Sequence, residues 1–207
     1  MRSLPLTIFL ATLALGTQVI AQDTQADTQD GASPLASSNF SSFEKGDGIL
    51  SLSLGTVVPL GFYNPTTPGF EDANSLPGFA FALSYAGFLN ESWALAGDLS
   101  GGYVSTVNDD RLFIAPLSLR MIRVFSIDSF IIAPTAGLGI AISALGDNKH
   151  VDGLLKAGSS FYWKASSDMS YALNIFGNII PQIMINFPEN TRIGFFMEAT
   201  LSVAYHL

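Results

Sequence analysis

The chain has 207 residues, enough for one domain of ordinary size, and a formal net charge of −8 with 9 Lys and Arg residues, which argues against a nucleic-acid partner. Cysteine is absent, which excludes a disulfide framework, a thiolate metal site and a lipid-modified N-terminal cysteine. The mean hydropathy is +0.38, yet no internal segment holds the roughly 18 uninterrupted apolar residues of a transmembrane helix. A high mean hydropathy without a long apolar run is expected if apolar side chains occupy every second position of β-strands.

The N-terminal segment has the parts of a secretory signal peptide. Arg2 supplies the positive charge, an apolar stretch runs from Leu4 to Leu15, and Ala21 precedes the predicted cleavage point. Residues 1–21 are therefore predicted to be removed on export. Residues 22–46 are polar, acidic and low in complexity, and we expect a disordered periplasmic tail because they hold too little apolar surface to offset the entropy of ordering.

Residues 47–207 alternate apolar with small or polar side chains, which is the pattern of β-strands. In the last predicted strand, Arg192 to Leu207, every odd-numbered position is apolar. This run is longer than the about 9–11 residues that a tilted strand needs to cross a bilayer. Eight such segments are separated by connections near residues 61–77, 90–91, 105–111, 126–129, 144–153, 166–168 and 182–191.

The connections alternate between longer and short, as in outer-membrane barrels with long external loops and short periplasmic turns. The sequence thus predicts an all-β fold, an eight-stranded antiparallel up-and-down transmembrane β-barrel with both chain ends periplasmic. The external connections are expected near residues 61–77, 105–111, 144–153 and 182–191. Pro116 and Pro134 lie inside predicted strands, and we expect a bulge or kink at each because proline cannot donate to a sheet ladder.

In these features the chain resembles the small eight-stranded outer-membrane proteins, the group of OmpW-, OmpX- and OmpA-barrel-like porins. The resemblance covers residues 47–207 and rests on the signal peptide, the strand count and the closing C-terminal strand. It implies the outer membrane of a two-membrane bacterium, with membrane lipid and the barrel-assembly machinery as partners. Such families usually end on Phe or Trp, whereas this chain ends on Leu207 with Tyr205 two residues before it.

Five charged residues fall on inward positions of the predicted strands. Facing lipid near the midplane, each would cost about 2–4 kcal/mol, so we predict that they form a charge network in the lumen. The predicted network is Asp98, Arg120, Lys156, Lys164 and Glu198, with Thr135, Asn174 and Asn178 as further polar lumen residues. Asp98 and Arg120 are equally distant from Asp109, so a hairpin centred on Asp109 would place them directly opposite each other.

Aromatic residues gather near the short connections of the predicted barrel. Outer-membrane barrels carry aromatic girdles at both membrane interfaces. We therefore predict a periplasmic girdle of Phe88, Trp93, Phe125, Phe130, Trp163 and Tyr205.

Signs of catalysis are few. The chain holds 2 histidines, and neither forms a nucleophile–base pair with a serine on a strand. His150 is expected to be a solvated residue of the third external loop. We predict no enzyme activity, no cofactor and no metal.

Small inward residues, among them Ala80, Ala82, Gly137 and Gly139, leave two interiors open: a narrow passage, or one filled by side chains. The passage predicts a minor porin or channel for small solutes, hydrophobic ones included. The filled interior predicts a closed barrel that displays loops for adhesion or for contact with a host or its immune system. A soluble ligand-binding barrel would need polar outward positions, which residues such as Leu99 and Leu117 oppose.

Overall fold

The computed structural model describes residues 43–66, 68–106, 110–127, 129–146, 148–183 and 191–207. The predicted signal peptide and the predicted tail up to residue 42 lie outside the described residues. Within the described part there is no helix that could cross a membrane.

Ten strands form a sheet that closes on itself. They are β1 (Gly48–Asn64), β2 (Gly69–Glu71), β3 (Gly78–Asn90), β4 (Trp93–Ser105), β5 (Arg111–Arg123), β6 (Phe125–Ile127), β7 (Phe130–Leu145), β8 (Asn148–Lys164), β9 (Met169–Gln182) and β10 (Arg192–His206). Neighbours along the chain pair antiparallel, and β10 closes on β1. The short β2 pairs with β1, and the short β6 continues β5 along β7. The remaining eight strands confirm the predicted all-β, eight-stranded antiparallel barrel.

Most large apolar side chains of the strands are exposed on the outer face, whereas the inward positions hold mainly small and polar side chains with some apolar ones. In β10, Leu201 is 53% exposed and Ala204 is 0% exposed. Because successive strand residues point to opposite faces, the same alternation on every strand wraps the barrel in apolar side chains. The outer surface therefore presents the continuous apolar belt of a membrane-spanning barrel.

The strand register continues unchanged past Pro116 and Pro134, so neither position carries the expected bulge. Pro116 pairs with Ala141 in the β5–β7 ladder, and Pro134 pairs with Ser159 in the β7–β8 ladder, each without a change of register. β5 ends at Arg123, opposite Pro134, where a proline has no N–H to offer. The described register shifts lie instead at Pro59/Gly61 and at Phe88/Asn90.

We call the barrel end that carries Leu207 the turn end and the opposite end the loop end. At the loop end, the predicted long connection near 144–153 is wrong, because β7 runs to Leu145 and β8 begins at Asn148. The ladder continues through Ser143 and His150, which are partners. The polar side chains of this segment suggested a loop, but backbone pairing does not require apolar side chains where strands extend beyond the belt.

At the turn end, residues that we assigned to the disordered tail pack on the barrel. Phe43 is 6% exposed, and the N–H of Gly46 donates to the carbonyl of Phe88 at 3.0 Å. Phe88 itself is 5% exposed. Its assignment to the girdle is therefore wrong, because Phe88 has the inward parity of Ala86 and closes the lumen.

Candidate functional site

Four charged side chains meet in the middle of the lumen. Arg120 donates two hydrogen bonds to Asp98, one from Nε to Oδ2 and one from Nη2 to Oδ1, the second at 2.7 Å. Lys156 Nζ lies 3.8 Å from Asp98 Oδ2 and 3.2 Å from Glu198 Oε2. All four residues are buried, and their two positive and two negative charges cancel. We call this set the ion network.

Three hydroxyl groups form further hydrogen bonds with Asp98 and Arg120 of the ion network. Ser84 Oγ donates to Asp98 Oδ1 at 2.6 Å, and Ser118 Oγ donates to Asp98 Oδ2 at 3.2 Å. Arg120 Nη1 donates to Thr135 Oγ1 at 3.3 Å. Thr135 was a predicted lumen residue, whereas the two serines were missed. Each serine is a direct cross-strand partner of Asp98, so a correct register would have identified both.

The contact between Asp98 and Arg120 forms from a different register than the sequence suggested. Asp98 lies opposite Ser118, and Arg120 lies opposite Ala96. The hairpin is thus centred one residue earlier than Asp109, and the ion pair is diagonal. A diagonal pair is within reach of a long side chain such as arginine.

Phe176 contacts both cations of the ion network. Its ring centroid is 4.9 Å from Arg120 Cζ and 4.6 Å from Lys156 Nζ. Glycines opposite these large side chains leave them room. A Cβ on Gly137 would lie 2.6 Å from Arg120 Cγ, and one on Gly158 would lie 2.6 Å from Phe176 Cδ1. The carbonyl oxygens of Leu119 and Ile175 would lie closer still, at 2.1 Å each, so neighbouring atoms already occupy the space beside these two glycines.

A neutral polar cluster adjoins the ion network. Asn174 Nδ2 donates to Thr200 Oγ1 at 3.1 Å and also to Ser202 Oγ. Ser202 Oγ lies 2.7 Å from Ser53 Oγ. Separately from this cluster, Asn178 Nδ2 donates to Glu198 Oε2 of the ion network at 3.4 Å. Both predicted lumen asparagines therefore point inward.

Lys164 is not a member of the ion network. It is the last residue of β8 and pairs with Ser170 at the turn end. It lies eight positions from Lys156, roughly 26 Å along a strand that rises about 3.3 Å per residue. Its inclusion in the predicted network is wrong because parity alone does not fix depth along the barrel axis.

Apolar side chains fill the described lumen on both sides of the ion network. At the turn end, Phe43, Phe88, Ile122 and Ile131 pack together, and near the loop end Val57, Val104, Ile114 and Phe196 do the same. The spaces beside the ion network measure about 20 Å³ each, and the space at the turn end measures about 10 Å³. Each is about the size of one water molecule. At these three levels, side chains leave only water-sized spaces in the described lumen.

A larger cavity of about 420 Å³ opens above the filled lumen at the loop end. Phe62, Leu112, Ile114, Ile180 and Phe196 form its apolar floor and walls. This volume lies within the range of about 300–1,000 Å³ that is typical of small-molecule sites.

Polar side chains form the rim of this loop-end cavity. They are Ser143, Asn148, His150, Asp152, Gln182 and Arg192. His150 is therefore a half-buried strand residue, contrary to our prediction of a solvated loop position. Arg192 Nη1 lies 3.7 Å from Glu71 Oε2 in a half-exposed ion pair. Among the described residues, no group of three or more His, Cys, Asp or Glu side chains could hold a metal ion.

The predicted girdle residues other than Phe88 have the outward parity of their strands, near the turn end. Trp93, Phe125, Phe130 and Tyr205 are 39%, 49%, 59% and 48% exposed. Trp163 is half-buried and packs beside Tyr171, with ring centroids 6.1 Å apart. These side chains border the apolar belt.

Comparisons with known proteins bear on the whole barrel. A protein-family model matches residues 25–205. The barrel is similar to the crystal structure of Neisserial surface protein A. The alignment spans 78% of this chain and 97% of that protein's chain, with a TM-score of 0.59 and 11% sequence identity. The chain has the fold of the small eight-stranded outer-membrane β-barrels.

Two other barrels overlap less closely. OprG of Pseudomonas aeruginosa covers 79% of this chain and 97% of its own, with a TM-score of 0.48 and 11% identity. The alignment with the N-terminal barrel of OprF from the same organism spans 79% of this chain and 98% of the OprF barrel, with a TM-score of 0.46 and 15% sequence identity. No curated protein matches the sequence. Similarity at these identities establishes the fold alone, so the function must be argued from the residues.

Proposed function

We propose that this chain is a closed outer-membrane barrel that binds a small, largely apolar solute in the loop-end cavity. The cavity, which stands above a filled lumen, is the observation that carries the proposal. A solute can enter from the loop end, but the ion network and the apolar clusters stop it from passing through. Of the two functions left open by the sequence, the geometry favours the closed barrel over the porin.

The chemistry of the cavity supports an apolar solute with a polar group at one end. The floor and walls offer apolar side chains, whose contact area drives binding. Donors and acceptors lie on the rim, around His150, Gln182 and Arg192. A solute would thus place its apolar body toward Phe196 and its polar group toward the loops.

The experiment measures conductance and binding on the same purified protein. In planar bilayers we expect no steady conductance. In detergent we expect a fluorescent apolar probe to bind and to be displaced by medium-chain alcohols or carboxylates. Ser143→Phe places a ring in the cavity and should abolish probe binding, whereas Ile142→Phe, on the outward face of the same strand, should not. Steady conductance, or equal probe binding by both variants, would contradict the proposal.

A second candidate, the displayed adhesive surface, is favoured by apolar side chains in the connection between β1 and β3. Phe70 and Leu76 are each 60% exposed. This connection is tied to the barrel, because Leu76 N–H donates to the carbonyl of Ser105 at 2.9 Å and Ser75 pairs with Thr106. Its apolar side chains are therefore held in position for a partner. Replacing both exposed residues by serine should abolish binding of cells to a host surface while leaving probe binding intact.

A further inference from the structure

One cation stands on the outer surface of the barrel rather than in the lumen. Arg123 is the last residue of β5 and has the outward parity of Met121 and Leu119. Both of these neighbours are exposed, at 44% and 59%, and they belong to the apolar belt. Arg123 therefore lies where the belt ends at the turn end.

Two aromatic side chains flank the Arg123 guanidinium. Its Cζ lies 4.9 Å from the centroid of Trp93, which is the direct cross-strand partner, and 5.6 Å from the centroid of Phe125. Arginine stacks on aromatic faces through its planar guanidinium. The two contacts fix the side chain while leaving its N–H groups unused.

No acceptor in the described part of the chain takes up these N–H groups. The ion pairs there join other residues, and no carboxylate lies within 4.0 Å of Arg123. By contrast, Arg120 donates to Asp98, Thr135 and Ser84, and Arg192 pairs with Glu71. Arg123 is thus an oriented cation without a counter-charge among the described residues, and its neighbours would contact lipid.

We propose that Arg123, in contact with the rings of Trp93 and Phe125, binds the phosphate of a phospholipid in the membrane leaflet at the turn end. The guanidinium can present two parallel N–H donors to phosphate oxygens. The rings and the belt residues Leu95 and Met121 offer apolar surface to the acyl chains of the same lipid. The site rests on the proposed membrane location but is independent of the loop-end cavity.

The strand that carries Arg123 also offers a matched control. Arg111 begins β5 at the loop end; it is exposed, and neither a described ring nor a described carboxylate contacts it. Arg111→Ala removes the same charge from the same strand but from the other end of the barrel. A site specific to the turn end should respond to Arg123→Ala and not to Arg111→Ala.

The test counts lipids retained by the purified barrel in a phosphate-free maltoside detergent, by native mass spectrometry. Phosphatidylglycerol should bind wild type and Arg111→Ala equally, and Arg123→Ala about tenfold more weakly, as expected for a lost contact to a charged group. Arg123→Lys, which keeps the charge but not the paired donors, should be intermediate. Equal retention by wild type and Arg123→Ala would overturn the site.

Two further measurements test whether the phosphate is the group recognised and whether the lipid binds beside Trp93. A diacyl glycolipid without phosphate should show no dependence on Arg123; a dependence would mean that the phosphate is not recognised. Because the chain has 2 Trp, Trp163→Phe leaves Trp93 as the reporter. Its emission should shift when phosphatidylglycerol is added, and Arg123→Ala should abolish the shift. An equal shift with inorganic phosphate alone would mean a free-anion site and would overturn the lipid proposal.

Failure of this site and failure of the proposed function give different results. A barrel that inserts into vesicles but retains lipid regardless of residue 123 contradicts only the site. A barrel that stays monomeric in buffer without detergent contradicts the membrane location itself.

Discussion

The ring of Phe43 stacks on the ring of Phe88, with centroids 4.0 Å apart and planes 15° apart. The Phe43 ring also lies 5.7 Å from the ring of His206. A residue that precedes the first strand thus packs against residues of β3 and β10 at the turn end of the barrel. Offset aromatic stacking of this kind adds to the apolar area that both rings bury.

We expect Phe43→Ala to lower the free energy of unfolding by about 3 kcal/mol, the usual cost of removing a buried phenyl ring. Urea unfolding of the barrel in lipid vesicles measures this change. Lys45→Ala is the control, because Lys45 is exposed two residues away. Equal stability of the two variants would show that the N-terminal segment does not contribute to the barrel.

The buried Asp98–Arg120 pair should respond as a unit. Asp98→Ala and Arg120→Ala should each destabilise by about 3–5 kcal/mol, since each leaves a buried charge without its partner. The double variant should cost less than the sum of the two. A double-mutant cycle on urea unfolding measures the coupling energy. Strictly additive losses would mean that water or other groups neutralise both charges.

Gly158 should not tolerate a side chain, because a Cβ there would lie 2.1 Å from the Ile175 carbonyl oxygen and 2.6 Å from Phe176 Cδ1. Gly158→Ala should destabilise by about 1–3 kcal/mol through overpacking. Gly177, at the outward face of β9, is the control, since the atom nearest to a Cβ there is 3.8 Å away. Gly177→Ala should be nearly neutral in the same unfolding assay. If both substitutions are neutral, the lumen packs more loosely than the contacts of Phe176 indicate.

The apolar belt predicts the cost of an outward charge. Leu119 is 59% exposed at a middle position of β5. Leu119→Arg should cost about 2–4 kcal/mol in a bilayer if that position lies near the midplane. Leu119→Phe is the control and should be tolerated. Vesicle-based unfolding gives both values, and a neutral arginine would contradict a lipid-facing belt.

The alternation of side chains along each strand explains which predictions from the sequence were correct. Alternation along β10 predicted which side chains of that strand face outward, because the period of two is set by backbone geometry within the strand. The inward position of Asp98, Arg120, Lys156 and Glu198 followed from this parity together with the cost of a charge in lipid. The prediction for Phe88 was wrong because the alternation of its strand was not applied to it. The prediction for Lys164 was wrong because alternation does not give the depth of a residue along the barrel axis.

The sequence by itself determined the strand count, the antiparallel order and the orientation of each face, since these depend on local side-chain pattern. Only the tertiary structure decided that Asp98 meets Arg120 diagonally, that Phe176 contacts two cations and that Phe43 packs at the turn end. Such contacts depend on the register of each hairpin and on how the strands stagger around the closed barrel. A shift of one residue in one hairpin centre changes which inward side chains meet while leaving the alternation of every strand unchanged.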